Sequence, residues 1–506
     1  MNPDLAPLER FRALIASRIG LQFDDAKRGW LAEVLRRRSD AHREPCEAYL
    51  ARLERAGAGS ELGALAQELT VGETYFLRNI DQFQALREQV WPQRLRAQAA
   101  RRRVQVLSAG CASGEEAYSI AMSLYDLLPA AGWELSIRAV DLNPAALDKA
   151  RRARYTAWSL RETPPRQLQR WFRAEGGEYV LDDTIRAAVH FEQRNLGEDD
   201  AELWVPGAYD VVFCRNVLMY FAAGSAQATV ARITRSLAPG GYLFLGHAET
   251  LRGLSQDYHL RHTHEAFYYQ RKDAAAEAPL PEAAPALPAD TAGPALAAAV
   301  EGADSWVEAI GRAAERIRVL TEHAGAAAPH APERGAKGWQ LALGRALELL
   351  RDERFAEALD VVQALPPASA RDPEVLLLHA VLLVHGGRLS EAEALCHRLL
   401  ALDELNAGAH YVLALCREGA ADCRGAAERD RFAAYLDPAF AMPRLHLGLL
   451  ARRAGDREAQ RRELGQALSL LQREDASRLL LFGGGFGRDA LIALCRAELR
   501  ACGVIA

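Results

Sequence analysis

The sequence predicts a doubly wound α/β domain that lies between a small helical domain and a C-terminal array of paired helices. Short β-rich runs alternate with helical segments between residues 104 and 270, a pattern typical of a mostly parallel sheet with helices on both faces. A regular sequence period marks the chain after residue 339, which indicates a helical repeat. The length of 506 residues also exceeds what one hydrophobic core supports, so several domains are expected.

The N-terminal helical domain is expected over residues 1–72. Phe11, Leu14, Ile15 and Ile19 recur at three- and four-residue steps, the spacing of one helix face. A later helix of this domain carries a basic run made of Lys27, Arg28, Arg36, Arg37 and Arg38. Such a run is either a solvated face or a surface for an acidic partner.

The α/β domain is expected over residues 73–271. Its predicted strands are "RVQVL", "LSIRAVD", "AVHFEQRNL", "YDVVFCRN" and "GYLFLGHAE", and its predicted helices lie near 115–128, 144–153 and 224–237. In such sheets ligands bind at the carboxyl ends of the strands. A small inserted β-subdomain is expected near residues 171–191.

The second half of the chain is predicted to consist of a linker and repeats. Residues 272–338 are rich in Ala and Pro, which indicates a semi-stiff linker with one amphipathic helix at 304–322. Ala358, Ala392 and Ala426 are equally spaced and Ala459 comes one position early, with the period typical of tetratricopeptide repeats (TPRs). TPR-like repeats are therefore expected over 339–475, with a helical cap over 476–506; a plain helical bundle is the alternative.

Composition restricts the class of protein. The formal net charge of -5 argues against a general nucleic-acid binder, and the eight cysteines include no C-x-x-C pair, so we expect reduced thiols and no metal site. No apolar run reaches the roughly 18 uncharged residues of a membrane span. We therefore expect a cytoplasmic protein without a segment inserted in the membrane.

The stretch "SAGCASGEEAYSI" follows the first predicted strand and leads into a helix. Its small residues let a ligand approach the backbone, and the helix presents its N-terminal end to negative charge. The stretch lacks the G-x-G-x-x-G spacing of dinucleotide sites, and Glu115 and Glu116 would repel a pyrophosphate but could bind an ammonium group. A ligand with both amino and carboxylate groups and no phosphate, such as S-adenosylmethionine, suits this loop.

Asp141 ends the second predicted strand, at the position that holds ribose hydroxyls in nucleotide-binding folds. Further polar residues follow the later strands, namely Asn195, Arg215, Asn216 and Tyr220. They are either structural polar groups with satisfied hydrogen bonds or ligand contacts. Together with the loop, they make a methyltransferase the favoured interpretation.

Six segments resemble the CheR family of chemoreceptor glutamate methyltransferases. They are "TVGETYFLR", "SAGCASGEEAYSI", "AVDLN", "RNL", "FCRNVLMYF" and "PGGYLFLGHAE", in the family's order over about residues 8–270. The resemblance implies transfer of a methyl group from S-adenosylmethionine to receptor glutamates, with S-adenosylhomocysteine as the product. Some members carry C-terminal TPRs, including members of Wsp-type surface-sensing pathways.

The resemblance also implies residue roles. The cofactor-binding residues would be Thr74, Arg78, Glu116, Asp141, Asn195, Leu196, Arg215 and Asn216. Glu116 would bind the methionine end, Asp141 the ribose, and Asn195 with Leu196 the adenosine part. Arg78 and Tyr220 would lie nearest the methyl group, where Arg78 would steer the substrate carboxylate and Tyr220 would position it.

The chain departs from the family pattern at several positions. Gly72, Leu77 and Ala117 replace a common Asn, Phe and Pro, and none of these changes removes a charged contact. The segment 171–191 is a few residues shorter than in members that bind a receptor's C-terminal pentapeptide. We therefore expect a protein or peptide partner at the repeats to recruit the substrate, as a second binding module would.

Two rival functions make different demands on the sequence. A nucleic-acid methyltransferase would carry an N-P-P-[YF] box and a pervasive basic patch, and the sequence has neither. A non-catalytic scaffold that senses S-adenosylmethionine through this domain is the second rival. Loss of Arg78 or Asp141 would favour the scaffold, and both residues are present.

Overall fold

The computed structural model describes residues 5–55, 59–70, 72–129, 132–273, 338–352, 354–484 and 486–502. These residues form two compact units, one made of 5–249 and 257–273 and the other of 250–256 and 338–502. The predicted linker, including the helix at 304–322, lies outside the described residues except for its two ends. Among the described helices, none is long and apolar enough to cross a bilayer.

The first unit begins with a helical region. Its helices are α1 (Leu5–Arg18), α2 (Arg28–His42), α3 (Cys46–Leu53) and α4 (Gly59–Leu69). Phe11, Leu31, Val34, Tyr49 and Leu50 are fully buried and form its core, because the apolar residues of each helix fall on one face. A helical stretch of α5 (Ile80–Ala85), a π-helical turn (Leu86–Val90) and α6 (Trp91–Ala97) leads to the sheet.

A seven-stranded mixed sheet forms the centre of this unit, in the order β6-β2-β1-β7-β8-β10-β9. Its strands are β1 (Arg103–Ala109), β2 (Glu134–Asp141), β6 (Val189–Gln193), β7 (Tyr209–Cys214), β8 (Leu237–Leu245), β9 (Tyr258–Thr263) and β10 (Ala266–Arg271). The first five are parallel, and β10 and β9 add an antiparallel edge. The strand order reverses between β1 and β7, where ligands bind in open α/β sheets.

Helices connect the parallel strands. They are α7 (Glu115–Leu124), α8 (Pro144–Arg152), α9 (Pro165–Trp171), α10 (Asp183–Ala187) and α11 (Ala223–Ser236). A separate antiparallel sheet, in the order β3-β5-β4, consists of β3 (Arg154–Tyr155), β4 (Phe172–Glu175) and β5 (Glu178–Leu181). The predicted doubly wound α/β class is confirmed, and the edge strands β9 and β10 were not predicted.

The second unit is all-helical. Its helices are α12 (Gly338–Arg351), α13 (Phe355–Gln363), α14 (Pro373–His385), α15 (Leu389–Leu402), α16 (Ala407–Gly419), α17 (Cys423–Leu436), α18 (Ala441–Ala454), α19 (Arg457–Leu471), α20 (Ala476–Phe482) and α21 (Arg488–Ala501). From α12 to α19 they pack as successive antiparallel pairs. An all-helical C-terminal half was predicted and is confirmed.

The period follows from small residues at the contact between paired helices. Ala358, Ala392 and Ala426 are fully buried near the start of each second helix. Ala459 was predicted to be the corresponding residue of the fourth pair, and this prediction is wrong by one position. The buried residue of that pair is Gln460, which follows Ala426 at the same spacing as in the first three pairs. A glutamine fits there because its amide donates to Glu498 of α21 at 3.4 Å, so the buried polar group has a partner.

Candidate functional site

The loop after β1 is tightly wound. Gly110, Ala112 and Gly114 all have positive φ, at 82°, 46° and 91°. A Cβ on Gly110 would lie 2.4 Å from Cγ2 of Val217, so only glycine fits where the loops after β1 and β7 touch. The loop therefore brings its backbone to the carboxyl ends of β1 and β7.

Asp141 ends β2 and holds this loop in place. Its Oδ2 accepts the Ala112 N–H and its Oδ1 accepts the Asn143 N–H, both at 2.8 Å. Burial raises the pKa of Asp141, although the backbone N–H groups of Asn143, Ala112 and Leu142 act in the opposite direction. A carboxylate has about four acceptor positions, so Asp141 keeps capacity for a ligand's hydroxyl groups.

The two acids of the loop have different surroundings. Glu115 is fully buried and accepts hydrogen bonds from Ser113 at 2.7 Å and Ser159 at 3.1 Å. Glu116 instead accepts Ser108 Oγ at 2.7 Å and pairs with Arg215 Nη1 at 3.3 Å. Of the two ammonium-binding candidates, only Glu116 belongs to the polar cluster around Arg215.

Arg215 connects this cluster to Arg78. Its Nη2 donates to the Arg78 carbonyl at 2.5 Å, and its Nε is buried without a hydrogen-bond partner. Burial raises the pKa of Glu116, and the Arg215 charge opposes that rise. Because a buried guanidinium N–H is costly to leave unpaired, the unpaired Nε marks a place for an acceptor such as a carboxylate.

The segment of Thr74 and Arg78 is fixed by backbone contacts. The Phe76 N–H donates to the Ser159 carbonyl and the Leu77 N–H donates to Ser119 Oγ of α7, both at 2.9 Å. Thr74 and Arg78 themselves are half-buried. These backbone contacts, together with the buried side chains of Phe76 and Leu77, hold the segment beside α7.

Asn195 and Leu196 follow β6. The Asn195 amide donates to the Arg18 carbonyl at 2.7 Å and to Glu198 at 3.1 Å, and its oxygen accepts the Gly197 N–H at 3.0 Å. Leu196 is buried. The Asn195 side chain thus shapes the loop and joins it to α1, while Leu196 supplies an apolar surface.

The loop after β7 is organised by Glu249, a residue that was quoted within a motif and not predicted as a site residue. Its carboxylate accepts backbone N–H groups of Asn216 at 2.6 Å, Val217 at 2.9 Å, Met219 at 3.1 Å and Gly246 at 2.8 Å. Asn216 has a φ of 59°, which these bonds stabilise. A buried acid next to the end of β8 was the available signal, but sequence alone does not show that it binds backbone.

Tyr220 is 38% exposed and lies in a 3₁₀ turn, Leu218–Tyr220, that follows Asn216. The Gln22 N–H donates to the Tyr220 carbonyl at 2.8 Å, and Leu21 forms an isolated antiparallel bridge with Phe221. The helical region is thereby joined to the loop that carries Tyr220.

A cavity of about 400 Å³ lies at these loops. Five predicted site residues line it: Asp141, Asn195, Leu196, Asn216 and Tyr220. Apolar side chains such as Leu142 and Val217 form part of its wall, and the helical region contributes Lys27 and Trp30. The lining does not include Thr74, Arg78, Glu116 or Arg215. Arg78, Glu116 and Arg215 form a separate polar cluster, which is next to the cavity because Arg215 directly precedes the lining residue Asn216.

The basic run of α2 is mostly neutralised within the chain. Arg28 pairs with Asp25, and Arg36 pairs with Glu33. Arg37 pairs with Glu68 at 2.5 Å and Arg38 with Glu61 at 2.8 Å. Lys27 instead lies over the ring of Phe23 and lines the cavity. Of the two interpretations left open for this run, the pairing favours a solvated face, and Lys27 is the member of the run that lines the cavity.

Comparisons with known proteins agree with this geometry. Residues 72–267 match the family model described as "CheR methyltransferase, SAM binding domain". Chemotaxis protein methyltransferase 2 of Vibrio cholerae is 34% identical over 266 residues, which are 52% of this chain and 91% of that protein. The chain belongs to the CheR family. It is accordingly a methyltransferase that uses S-adenosylmethionine.

Two further similarities were found. The chemotaxis protein methyltransferase of Salmonella typhimurium is 33% identical, covering 53% of this chain and 92% of that CheR protein. The solved structure "MamA 41-end from Desulfovibrio magneticus RS-1" is 19% identical and covers 33% of this chain and 91% of that chain. Its TM-score of 0.25 is too low to support an argument about this CheR chain.

The residues of this CheR chain fit S-adenosylmethionine. The unpaired Nε of Arg215 suits the cofactor's carboxylate, and Glu116 suits its ammonium group. Asp141 has acceptor positions left for ribose hydroxyls, and Leu142, Leu196 and Val217 offer apolar surface to an adenine ring. The assignment of these residues to parts of the cofactor stays a prediction.

Proposed function

We propose that the chain methylates glutamate side chains on the cytoplasmic signalling domain of a methyl-accepting chemoreceptor. Membership of the CheR family supports the reaction class. The observation that carries the proposal is the position of Tyr220, a partly exposed residue and therefore at the rim of a cavity that Asp141 and Leu196 also line. A side chain can enter at this rim while the cavity holds a nucleoside.

The protein's task is to orient the reactants. A glutamate carboxylate has a pKa near 4.3 and is ionised at pH 7, so no general base is needed. S-adenosylmethionine, when bound, supplies an electrophilic methyl group, and S-adenosylhomocysteine leaves. Alignment of the carboxylate oxygen with that group can contribute about 7–11 kcal/mol.

In this proposal two residues act on the acceptor. Arg78 attracts the carboxylate electrostatically, and the Tyr220 hydroxyl donates a hydrogen bond to it. Neither carries a proton between groups. Glu249 keeps Tyr220 in position through the backbone N–H groups of Asn216, Val217 and Met219.

The test is incubation of the full chain with labelled S-adenosylmethionine and membranes that contain candidate receptors. We expect base-labile label on glutamate, and its absence with every receptor, despite cofactor binding by calorimetry, would contradict the proposal. Asp141→Asn should abolish both cofactor binding and label. Asp148→Asn, an exposed acid on α8, is the matched control and should change neither.

The repeats are proposed to recruit the substrate or its signalling partners. Paired helices from α12 to α19 present an extended surface, and a second binding module raises the effective concentration of a substrate. Such recruitment would operate in the cytoplasm, where the proposed receptor domain lies. The family's Wsp-type members offer one precedent for this arrangement.

A further inference from the structure

The helical period extends one step beyond the last regular pair. The first helices of three successive pairs are preceded by Asp372, Asn406 and Phe440, which are equally spaced along the chain. The next first helix is therefore expected to begin near residue 474. Helix α20 begins there, with Asp475 as its N-cap, but it has only seven residues and is followed by Gly483 and Gly484.

Helix α20 packs against the first helices of earlier pairs. It contacts α12 and α14, and the ring of Phe482 lies 5.8 Å from that of Tyr411 on α16. We call the surface formed by α12, α14 and α16, together with Asp437 and Phe440 just before α18, the first-helix face. A Cβ on Gly408 of α16 would lie 3.0 Å from Phe482 Cζ, so the absent side chain makes room for this ring.

A buried arginine holds the same segment. Arg478 is 3% exposed, donates to Glu474 at 2.9 Å and to Asp437, and lies 4.9 Å over the ring of Phe440. Arg478 and Phe482 are four residues apart, so one side of α20 presents both. Burial of an arginine is costly without such acidic partners. Asp437, which also pairs with Arg252 at 2.7 Å, and Phe440 therefore form a socket for the guanidinium group.

Helix α20 is not needed to cover the end of the helical stack. Helix α21 packs on α19 and performs that role. Arg488 donates to the carbonyls of Gln472 and Glu474 and closes the base of the segment 474–487. The segment 474–487 therefore leaves the helical stack and packs on the first-helix face. A helix of seven residues such as α20 is not stable without that contact.

We propose that the first-helix face binds a helical segment of a partner protein that carries an arginine and, four residues later, a phenylalanine, and that α20 occupies this site until the partner displaces it. The inference rests on the proposed recruiting role of the repeats. The partner would pair a cation with Asp437 and pack an aromatic ring against Gly408, Tyr411 and Phe440. Arginine and aromatic side chains are the residues that dominate binding energy at such interfaces.

The experiment uses a fluorescent peptide with the sequence of residues 474–487, "EDASRLLLFGGGFG". Its binding to the full chain is measured by fluorescence anisotropy. The double variant Arg478→Ala with Phe482→Ala should bind the peptide at least 10-fold more tightly than the wild type, because its own segment competes less. Phe486→Ala, at a 63% exposed position, is the matched control and should behave as the wild type.

Equal affinity of the double variant and the wild type would overturn the proposal, as would equal binding of a peptide that lacks the arginine and the phenylalanine. Hydrogen exchange on the wild type covers the case in which the double variant does not fold. Amides of 479–483 should exchange at least 10-fold faster than those of α18, and equal protection would make α20 a fixed structural element. A wild-type dimer that the double variant abolishes would make a second copy the occupant and overturn the partner assignment.

These results are separable from those on methyl transfer. Receptor labelling without a peptide effect would leave the proposed methylation intact and overturn only the exchange of α20. Tighter peptide binding by the double variant without receptor labelling would support the exchange of α20 and contradict the proposed methylation.

Discussion

At the scale of single residues, the site depends on carboxylates that bind backbone N–H groups. Asp141 fixes the loop after β1 through Ala112, and Glu249 fixes the loop after β7 through Asn216 and its neighbours. Hydrogen bonds to ionised acceptors are about twice as strong as neutral ones. Both acids therefore position loops that no regular secondary structure would hold.

Glu249→Gln is expected to lower activity more than cofactor binding. The amide NH₂ cannot accept the backbone N–H groups that one carboxylate oxygen accepts, so Asn216 and Tyr220 shift. A displacement of about 1 Å can cost 10²-fold in rate, and the lost bonds should cost about 1.5–3 kcal/mol of stability. Steady-state kcat/KM on receptor membranes measures this; Glu265→Gln, an exposed acid, is the control. Unchanged kcat/KM in Glu249→Gln would contradict the positioning role.

At the scale of elements, the contact between two loops limits which residue can stand at position 110. Gly110 and Gly207 both have positive φ, at 82° and 65°, but only Gly110 has a neighbour, Val217, within reach of a Cβ. Alanine at either position has a left-handed backbone cost of about 1–2 kcal/mol. A substitution at Gly207 therefore tests backbone strain alone, whereas a substitution at Gly110 adds a steric clash with Val217.

Gly110→Ala is expected to abolish cofactor binding, whereas Gly207→Ala should retain it. The added methyl group would have to move Val217, and with it Asn216, out of the cavity wall. Isothermal titration calorimetry with S-adenosylhomocysteine measures the difference. Equal affinities of the two variants would show that the loops adjust freely, against this interpretation.

A buried charge cluster joins three consecutive helices of the second unit. His446 of α18 contacts Asp430 of α17 at 2.7 Å and Glu418 of α16 at 2.9 Å. Burial raises the pKa of Asp430 to about 6, although His446 opposes this. Burial acts to lower the pKa of His446, but Asp430 and Glu418 outweigh it and raise the value.

The stability around this cluster should therefore fall as pH rises. Both groups bind protons more tightly in the folded chain, so the folded state holds more protons than the unfolded state from about pH 4 to above 6.5, and the free energy of unfolding decreases over that window. Hydrogen exchange of α17 and α18 amides at pH 5.5 and 7.5, corrected for intrinsic rates, measures this. Asp430→Asn should weaken the dependence, because it removes one titrating group and also the partner that raises the pKa of His446. Asp489→Asn, at an exposed position on α21, should not. The same slope in both variants would count against the cluster.

At the scale of the whole molecule, charge guides the approach of an acidic substrate to a chain with a net charge of -5. The arginines of α2 are paired with carboxylates, and the described cavity lining contains two cations, Lys27 and Arg194. Arg194 is paired with Asp200 and Glu202, so we expect Lys27 to be the cation that attracts an acidic group. Salt screens exposed charges over about 8 Å at physiological ionic strength. We therefore expect a local electrostatic attraction at Lys27 and not an attraction across a broad basic face.

Lys27→Glu should lower kcat/KM on receptor membranes by about 10-fold at low salt and by less at high salt. Arg36→Glu changes the charge of the same helix equally, but Arg36 pairs with Glu33 and Asp40 and is absent from the cavity lining. Methylation initial rates at two salt concentrations compare the variants. An equal loss in Arg36→Glu would restore the view of α2 as an extended docking face.

Much of this architecture could be predicted from sequence because it depends on local patterns. Alternating strands and helices predicted the parallel sheet, and small residues after β1 predicted a ligand loop there. The backbone role of Glu249 could not be predicted, since its partners Asn216, Val217 and Met219 lie in another loop and all its bonds are to main-chain atoms. The edge strands β9 and β10 and the packing of α20 against earlier helices also depend on contacts distant in sequence, which periodicity does not encode.

The bridge between Leu21 and Phe221 has a consequence for how the nucleoside enters and leaves. The backbone around residues 20–22 is hydrogen-bonded to the backbone at Tyr220 and Ala222, so this side of the cavity opens only if these bonds break. We therefore expect S-adenosylhomocysteine and S-adenosylmethionine to exchange by a different route. Spectroscopic labels at these two positions should therefore report an unchanged separation through a full turnover, which would make them a fixed reference for motions elsewhere.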